Sequence, residues 1–328
     1  LLTFIFCIAN IQFSIAKADD WYESQPGYFT VYLSNQTILF KIGSRVAVGD
    51  EYISENNKKY KVTKVNNANK TAQAKYIEDI DLSKITVNTS YYIIPVTAQR
   101  DNTTIGIYCT HTDESYLPSD GAASIEGNGG VLEVAKTLGN NFEKAGVESV
   151  VDTTPHDPHD AGAYRRSRQT AVRIIKENAP VALFDIHRDA IPKEEYITTL
   201  EGEEITKIRI VVGRSNQNRE SNETFAYSIK AAADKQYPGL IKDIFIGEGN
   251  YNQELHPKSL LLEFGTYTHM RERALKSTSF LAEIATNVLF GGTIRDQNTK
   301  REEKIPPQKD ENTGAGKGII FLLVVLVA

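Results

Sequence analysis

From residue 103 to residue 289 the chain alternates short apolar runs with longer segments in which apolar residues recur at helical spacing. Buried strands that alternate with amphipathic helices pack into a mostly parallel sheet with helices on its faces. The sequence therefore predicts an α/β fold with a largely parallel, twisted sheet flanked by helices. The expected strands are residues 105–109, 147–151, 181–186, 208–212, 244–246 and 259–264, and the expected helices are residues 130–145, 163–178, 222–236 and 271–289.

A different pattern precedes this region. Between residues 21 and 96, short alternating stretches are separated by turn-forming Gly, Asn and Asp. We predict a small β domain at residues 19–100, followed by a catalytic domain at residues 101–292. The strands of the β domain are expected at residues 29–33, 37–40, 59–62 and 91–94. Because this region holds no cluster of His, Asp or Glu, its expected role is that of a spacer or docking module.

Both ends of the chain suggest export and anchoring. Residues 1–15 are mostly apolar, and Ala16-Lys17-Ala18 has the small-x-small form of a signal-peptidase site, so residues 1–18 are interpreted as a signal peptide or the remnant of an N-terminal anchor. Residues 318–328 are wholly apolar but too few to cross about 30 Å of hydrocarbon. We interpret them as a truncated transmembrane helix on a polar linker at residues 293–317, with a buried strand as the alternative. The expected location is extracytoplasmic, anchored to the cell membrane by a terminal helix.

Charge and cysteine content argue against a nucleic-acid-binding protein and against a fold held by disulfides. The chain has 37 Lys and Arg residues against 42 Asp and Glu residues, a formal net charge of −5, and no dense basic cluster. A protein that binds the phosphate backbone needs such a cluster, so no nucleic-acid partner is predicted. The 2 cysteines are Cys7, inside the expected signal, and Cys109. One remaining thiol cannot build a disulfide framework.

Titratable side chains follow three of the predicted strands at the point where each strand ends. His111 and Glu114 come after the first strand, His187 follows the third, and Glu263 lies at the end of the last. Ligands of open α/β sheets bind beyond the carboxyl ends of the strands. We therefore expect two imidazoles and two carboxylates at one edge of the sheet.

This set of side chains suits a zinc hydrolase. Two imidazoles and one carboxylate are the protein ligands of many catalytic zinc sites, in which water takes the fourth position. We predict that His111, Glu114 and His187 bind Zn²⁺. A carboxylate that is not bound to the metal can take a proton as water attacks an amide carbonyl, and Glu263 fits this catalytic role. There is no His-Glu-x-x-His motif, so the prediction rests on placement at the strand ends.

Further side chains are expected to contact substrate or to support the ligands. They are Arg166, Asp185, Arg188, Asp189 and His256. Asp185 and Asp189 flank His187 and can orient its imidazole through the second ring nitrogen. Arg166 either holds a substrate carboxylate or forms a structural ion pair.

Four other residues with reactive or metal-binding side chains are given structural roles. Cys109 is expected to face inward from its strand rather than act as a nucleophile. His156 and His159 lie in a Pro-rich stretch at residues 153–160, which is expected to be a solvated loop. His269 is expected at the surface, in the turn before the last helix.

Five segments resemble the stage II sporulation protein P family, and they occur in family order between residues 105 and 289. They are Tyr108-Cys-Thr-His-Thr-Asp-Glu-Ser-Tyr116, Tyr164-Arg-Arg-Ser167, Phe184-Asp-Ile-His-Arg-Asp-Ala190, Val211-Val-Gly213 and Tyr251-Asn-Gln-Glu-Leu-His-Pro-Lys-Ser-Leu-Leu-Leu-Glu-Phe-Gly265. The resemblance implies a zinc-dependent N-acetylmuramoyl-L-alanine amidase that remodels the cell wall during sporulation. Its substrate would be peptidoglycan, cut between the lactyl group of muramic acid and L-alanine and also at stem-peptide cross-links. A lytic transglycosylase is implied as a partner.

The chain departs from the family pattern at one position. The family usually carries His-Thr-His where this chain has Cys109-Thr110-His111, which makes His111 the expected ligand. Related amidases take their ligating glutamate from the start of the next helix, so Glu133 is the alternative to Glu114. Two other functions stay open: a zinc peptidase that acts mainly on peptidoglycan stem peptides, and a catalytically silent wall-binding scaffold.

Overall fold

The structure is a computed structural model, and it describes residues 27–82, 103–296 and 301–305. The strands within these ranges are β1 Phe29–Tyr32, β2 Ile38–Ile42, β3 Glu51–Ile53, β4 Lys58–Asn66, β5 Thr71–Asp79, β6 Ile105–Tyr108, β7 Ser149–Val151, β8 Ala182–Asp189, β9 Ile197–Leu200, β10 Glu203–Thr206, β11 Ile208–Gly213, β12 Ile241–Gly247, β13 Ser259–Thr266, β14 Gly292–Asp296 and β15 Arg301–Ile305. The α-helices are α1 Leu117–Asp120, α2 Val131–Lys144, α3 Ala163–Asn178, α4 Arg219–Gln236 and α5 Arg271–Phe290.

Eleven of the strands form one large mixed sheet, in the order β2-β1-β5-β4-β3-β12-β11-β13-β8-β6-β7. β7, β6, β8 and β13 run parallel to one another, and β11 runs parallel to β12. The pairing between β11 and β13 is antiparallel. The predicted α/β fold with helices flanking a twisted sheet is confirmed. The mixture of directions was not predicted, because a fully buried strand is apolar whichever way it runs.

Aromatic rings connect the sheet to the helices that cover it. The Phe184 ring of β8 lies 6.0 Å from the Phe142 ring of α2 and 6.1 Å from the Phe225 ring of α4. All three side chains are buried in the largest hydrophobic cluster. The cluster therefore fixes both helices against the strand that carries His187.

The amino-terminal strands belong to the same sheet. β3 pairs antiparallel with β12, with Ile53 opposite Ile244. The Phe40 ring stacks on Tyr52 at 4.1 Å and lies 5.9 Å from the ring of Phe245 on β12. The predicted boundary near residue 100 therefore separates two stretches of sequence whose strands form one sheet. Alternation reveals a strand but not its partner, and the expected strand at residues 91–94 lies outside the described residues.

The expected membrane anchor is contradicted. Within the described ranges, no helix has both the length and the apolar character needed to span a bilayer. The two segments that suggested an anchor, residues 1–18 and 318–328, lie outside those ranges. The predicted polar linker begins, in the structure, with the antiparallel hairpin of β14 and β15.

Candidate active site

Three parallel strands bring the predicted site residues to one pocket. β6, β8 and β13 are neighbours with the same direction, so their carboxyl ends lie at one edge of the sheet. β8 runs on past its predicted end at residue 186, and His187 lies in it directly opposite Glu263. The pocket is small, with a cavity volume of about 30 Å³. It is lined by Ser44, His111, Glu114, Tyr164, His187, Asp189, Val211, Tyr251, Leu261 and Glu263.

The Glu114 carboxylate lies between two imidazoles. Its Oε1 atom is 3.1 Å from Nδ1 of His111 and 3.3 Å from Nδ1 of His187. Its Oε2 atom accepts the backbone N–H of Arg188 at 2.9 Å. Glu114 is 1% exposed, so a single buried carboxylate connects the ends of β6 and β8.

The turn that carries Glu114 is fastened to the start of α2. The carbonyl of Glu114 accepts the N–H of Val131 at 3.0 Å. A Cβ atom on Gly129 would lie 2.3 Å from that carbonyl oxygen, so a side chain larger than hydrogen does not fit there. The turn is therefore held against α2 by close backbone packing.

The Asp185 carboxylate lies beside the His187 ring. Its Oδ1 atom lies 3.1 Å from His187 Nε2, and the carboxylate also accepts the N–H of Thr110 at 2.7 Å and the Thr110 hydroxyl at 2.6 Å. Because Nε2 faces Asp185, Nδ1 faces Glu114. This is the arrangement that a ligating histidine usually requires.

His159 also reaches the site, which its predicted solvated loop did not suggest. Its ring stacks on the ring of His111, with centroids 3.7 Å apart, and its Nδ1 lies 3.0 Å from Asp113 Oδ1. Ligand-capable atoms of His111, Glu114 and His159 all lie within 4.8 Å of one another. His159 is thus placed as an alternative third ligand to His187.

Burial and neighbouring charges shift the pKa values of the site groups in different directions. Burial, with the charge of His159, lowers the pKa of His111 to about 4, which keeps this imidazole neutral. Burial opposes ionisation of Glu114, but the charges of His187 and Arg188 hold the pKa of its carboxyl well below the usual range. Burial likewise opposes a charge on His187, yet Asp185 and Glu114 raise its pKa well above the ordinary value.

The remaining predicted residues support the site from its edges. Arg188 donates from Nε to the carbonyl of Ser115 at 3.2 Å and from Nη2 to that of Ala123 at 2.9 Å, which secures the loop after Glu114. Asp189, which was also expected to orient His187, is bonded to other groups. Its carboxylate accepts bonds from the Gly43 N–H, the Tyr196 hydroxyl and Arg209, at 2.8, 2.9 and 2.7 Å respectively.

Arg166 organises the loop that carries His159. Its Nε donates to the carbonyl of His156 at 2.6 Å, and its Nη2 donates to Asp160 at 2.6 Å and to the carbonyl of Pro158. These contacts match the second of the two roles expected for Arg166, a structural ion pair rather than a hold on a substrate carboxylate. His256, by contrast, does not line the pocket, and its Nδ1 accepts the N–H of Lys258 at 3.1 Å.

Several expectations for the other side chains can be compared with the structure. Cys109 is fully buried, as expected for an inward-facing residue, and burial raises the pKa of its thiol. His156 and His269 are buried rather than solvated. Glu133, the alternative carboxylate, has a half-exposed side chain and lies 3.0 Å from Arg271 Nε, whereas Glu114 faces both imidazoles.

Sequence reasoning missed the aromatic and amino-terminal parts of the pocket. Tyr164 packs edge-on to the ring of His111, with centroids 5.6 Å apart, and Tyr251 packs on Tyr164 at 5.7 Å. Tyr251 has a φ of 54°, a conformation that is uncommon for a bulky side chain and is often found at functional sites. Both tyrosines lie in segments that resemble the family. Ser44 has no signal of this kind.

Fold and pocket together define an α/β protein with a buried histidine–carboxylate centre at the carboxyl edge of its sheet. The family model described as "Stage II sporulation protein P (SpoIIP)" matches residues 28–286. The chain therefore belongs to the stage II sporulation protein P family. The match spans both the amino-terminal strands and the strands that carry the pocket.

Individual relatives show more distant similarity. Stage II sporulation protein P of Bacillus subtilis (strain 168) is 28% identical over 208 residues, which cover 58% of this chain and 52% of that protein. The chain thus spans about half the length of this relative. The CwlD amidase from Clostridioides difficile, solved in complex with the GerS lipoprotein, aligns with a TM-score of 0.38 and 11% identity over 57% of this chain and 97% of that one. An N-acetylmuramoyl-L-alanine amidase from Clostridium difficile 630 aligns with a TM-score of 0.36 and 17% identity over 57% and 95%.

The residue types of the site suit a zinc ion, and the side chains whose ligand-capable atoms all lie within 4.8 Å of one another are His111, Glu114 and His159. In a tetrahedral site with ligands at about 2.0–2.1 Å, neighbouring donor atoms lie about 3.3 Å apart. The two separations between Glu114 Oε1 and the imidazole nitrogens are 3.1 and 3.3 Å. Buried Nε2 of His111 has no hydrogen-bond partner among the described residues, so a second nitrogen is also open to a ligand.

Proposed function

We propose that the chain is a zinc-dependent N-acetylmuramoyl-L-alanine amidase that hydrolyses peptidoglycan in sporulation-related remodelling of the cell wall. The observation that carries the proposal is the buried Glu114 carboxylate between the imidazoles of His111 and His187, with Glu263 on the neighbouring strand. Family membership supports the cell-wall role in sporulation. The resemblance in the site segments further implies that the bond cleaved is the one between the lactyl group and L-alanine.

The proposed ligands are His111, Glu114 and His187, with His159 as the alternative third ligand. We favour His187 because Asp185 turns its Nδ1 towards Glu114. Zinc held there would polarise the scissile carbonyl and make the attacking water more acidic.

Glu263 is proposed to act as the general base and then as the general acid. Its carboxylate takes a proton from water as the oxygen attacks the lactyl carbonyl carbon, and gives it to the nitrogen of L-alanine as the C–N bond breaks. The products are a lactyl carboxylate and a free peptide amine. Tyr164 and Tyr251 line the pocket beside these groups and exclude water from part of it.

The bond that is cut can be identified directly. Purified peptidoglycan is digested with the chain, and the muropeptides are analysed by mass spectrometry. A free lactyl end supports the amidase. Products cut only within the stem peptides would mean that the chain is a zinc peptidase, and an absence of products from a zinc-loaded chain would favour the silent scaffold.

Substitutions of Glu263 and His187 distinguish the proposed general base from a proposed zinc ligand. Glu263→Gln is expected to lower the rate of peptidoglycan lysis by about 10²–10⁴-fold while zinc content stays at one ion per chain. His187→Ala is expected to release zinc and His159→Ala to retain it, which distinguishes the two candidates for the third ligand. Loss of zinc from Glu263→Gln, or a fully metallated His187→Ala chain, would contradict the assignment.

A further inference from the structure

The amino-terminal segment, residues 28–82, reaches the pocket. Ser44, just after β2, lines it together with His111, Glu114 and His187. No catalytic role was expected for this segment, because it lacks clustered His, Asp or Glu. The structure nevertheless places one of its polar side chains at the same site.

The position of Ser44 is fixed by the residue before it. The Gly43 N–H donates to Asp189 Oδ1 at 2.8 Å, at the end of the strand that carries His187. A Cβ atom on Gly43 would lie 2.8 Å from that oxygen and 2.9 Å from the Cβ of Ala190. Only glycine allows the two backbones to approach so closely, so the turn after β2 sits against β8.

The buried side chain of Arg209 also connects the end of β2 to Asp189. Arg209 is fully buried, and it donates from Nη2 to the carbonyl of Lys41 at 2.9 Å and from Nη1 to Asp189 Oδ2 at 2.7 Å. It also pairs with Asp243 through Nε at 2.6 Å. One guanidinium thus links β2, the end of β8 and β12, and it keeps the turn with Ser44 in register with the site.

The apolar lining of the pocket is packed on this segment. Four lining residues belong to one hydrophobic cluster together with side chains of the amino-terminal strands. The lining residues are Tyr164, Val211, Tyr251 and Leu261, and the amino-terminal members include Phe29, Val31, Phe40, Ile42, Val46 and Tyr52. The segment therefore supplies one polar group of the pocket and supports its apolar surface.

We propose that Ser44 is a substrate-binding residue of the site and that the turn at Gly43 and Ser44 positions the peptide part of the substrate. The nature of that substrate rests on the proposed function. A hydroxyl both donates and accepts, so it can pair with a peptide N–H or C=O. The apolar lining suits the small methyl groups of the lactyl and L-alanyl units. The ligand class, a short muramoyl peptide, is taken from the proposed function.

Steady-state kinetics with a soluble muramoyl peptide tests the proposal. Ser44→Ala is expected to raise KM about 2–10-fold, the value of one neutral hydrogen bond, with little change in kcat. Ser44→Thr keeps the hydroxyl and is expected to recover most of the loss. Ser34→Ala, at an exposed turn of the same segment, is the matched control and should leave both constants unchanged. An unchanged KM in Ser44→Ala would overturn the proposal.

Measuring the binding affinity without turnover tests the role of Ser44 independently of the kinetics. In the Glu263→Gln background, N-acetylmuramoyl-L-alanyl-D-isoglutamine is titrated by calorimetry into chains with and without Ser44→Ala. We expect about 2–10-fold weaker binding when the hydroxyl is removed, and equal affinities would refute the role of Ser44. If the unsubstituted chain releases no lactyl end from peptidoglycan, the proposed function fails and this inference fails with it. If lysis is normal and Ser44→Ala behaves like the unsubstituted chain, only the inference is wrong.

Discussion

At the scale of single residues, Asp185 and Glu114 lie against opposite nitrogens of His187, and we propose that Asp185 orients this ring. The Asp185 carboxylate is held by two bonds from Thr110 and lies 3.1 Å from His187 Nε2. Thr110 in turn bonds Ser167 at 2.8 Å, and Ser167 bonds Asn252 at 3.1 Å. The orientation of one imidazole thus depends on a buried chain of polar contacts that reaches α3.

Asp185→Asn is expected to weaken zinc binding about 10–100-fold, because residues that orient ligating histidines usually contribute that much to metal affinity. The measurement is competition with a chromophoric chelator on the purified chain. Asp152→Asn is the matched control, since Asp152 pairs with Arg173 away from the pocket. A loss of the same size in the control would assign the effect to general destabilisation.

At the scale of elements, α2 connects the main core to the site. Its apolar face is buried, and Phe142 stacks on Phe184 of β8. The start of the same helix bonds the carbonyl of Glu114. Packing of this helix therefore stabilises both the core and the turn that carries the carboxylate.

Phe142→Ala is expected to lower the free energy of unfolding by about 3–5 kcal/mol, the usual cost of removing a buried phenyl ring. Urea denaturation followed by circular dichroism measures the change. Lys144→Ala, at an exposed position of the same helix, should shift the midpoint very little. A small loss in Phe142→Ala would mean that the core refills the space.

The sequence predicted the elements well where local pattern decides them. α3 has its predicted bounds, and His111, His187 and Glu263 line one pocket because they lie just after or near the carboxyl ends of neighbouring parallel strands. It failed where the answer depends on distant partners. Gly43, which precedes Ser44, contacts Asp189, and His159 contacts Asp113; neither contact leaves a local trace in the sequence.

At the scale of the whole molecule, the sheet crosses the predicted domain boundary. β3 continues the sheet at β12, and charged pairs reinforce the junction, with Arg214 bonding Asp50 at 2.9 Å and Arg219 bonding Glu51 at 3.0 Å. The hydrophobic cluster shared by the two stretches lies beneath the pocket. We expect such a junction to behave as core rather than as a contact between independent modules.

A chain limited to residues 101–296 is expected to aggregate or to melt far below the chain of residues 27–296. It would expose Val211, Phe245 and Leu261, each worth about 1.5–3 kcal/mol when buried, against a total stability of about 5–15 kcal/mol. Thermal melting and light scattering compare the two chains. Co-expression of residues 27–82 should restore solubility. Equal melting temperatures would support the two-domain organisation expected from the sequence.

The contact between Gly43 and Asp189 also has an evolutionary consequence. Modules joined by a linker can be exchanged by recombination without harm to an active centre. Here an exchange at residue 100 would remove Ser44, the turn that holds it, and the packing beneath Tyr164 and Tyr251. We therefore expect the amino-terminal strands and the strands that carry the histidines to be inherited as one unit.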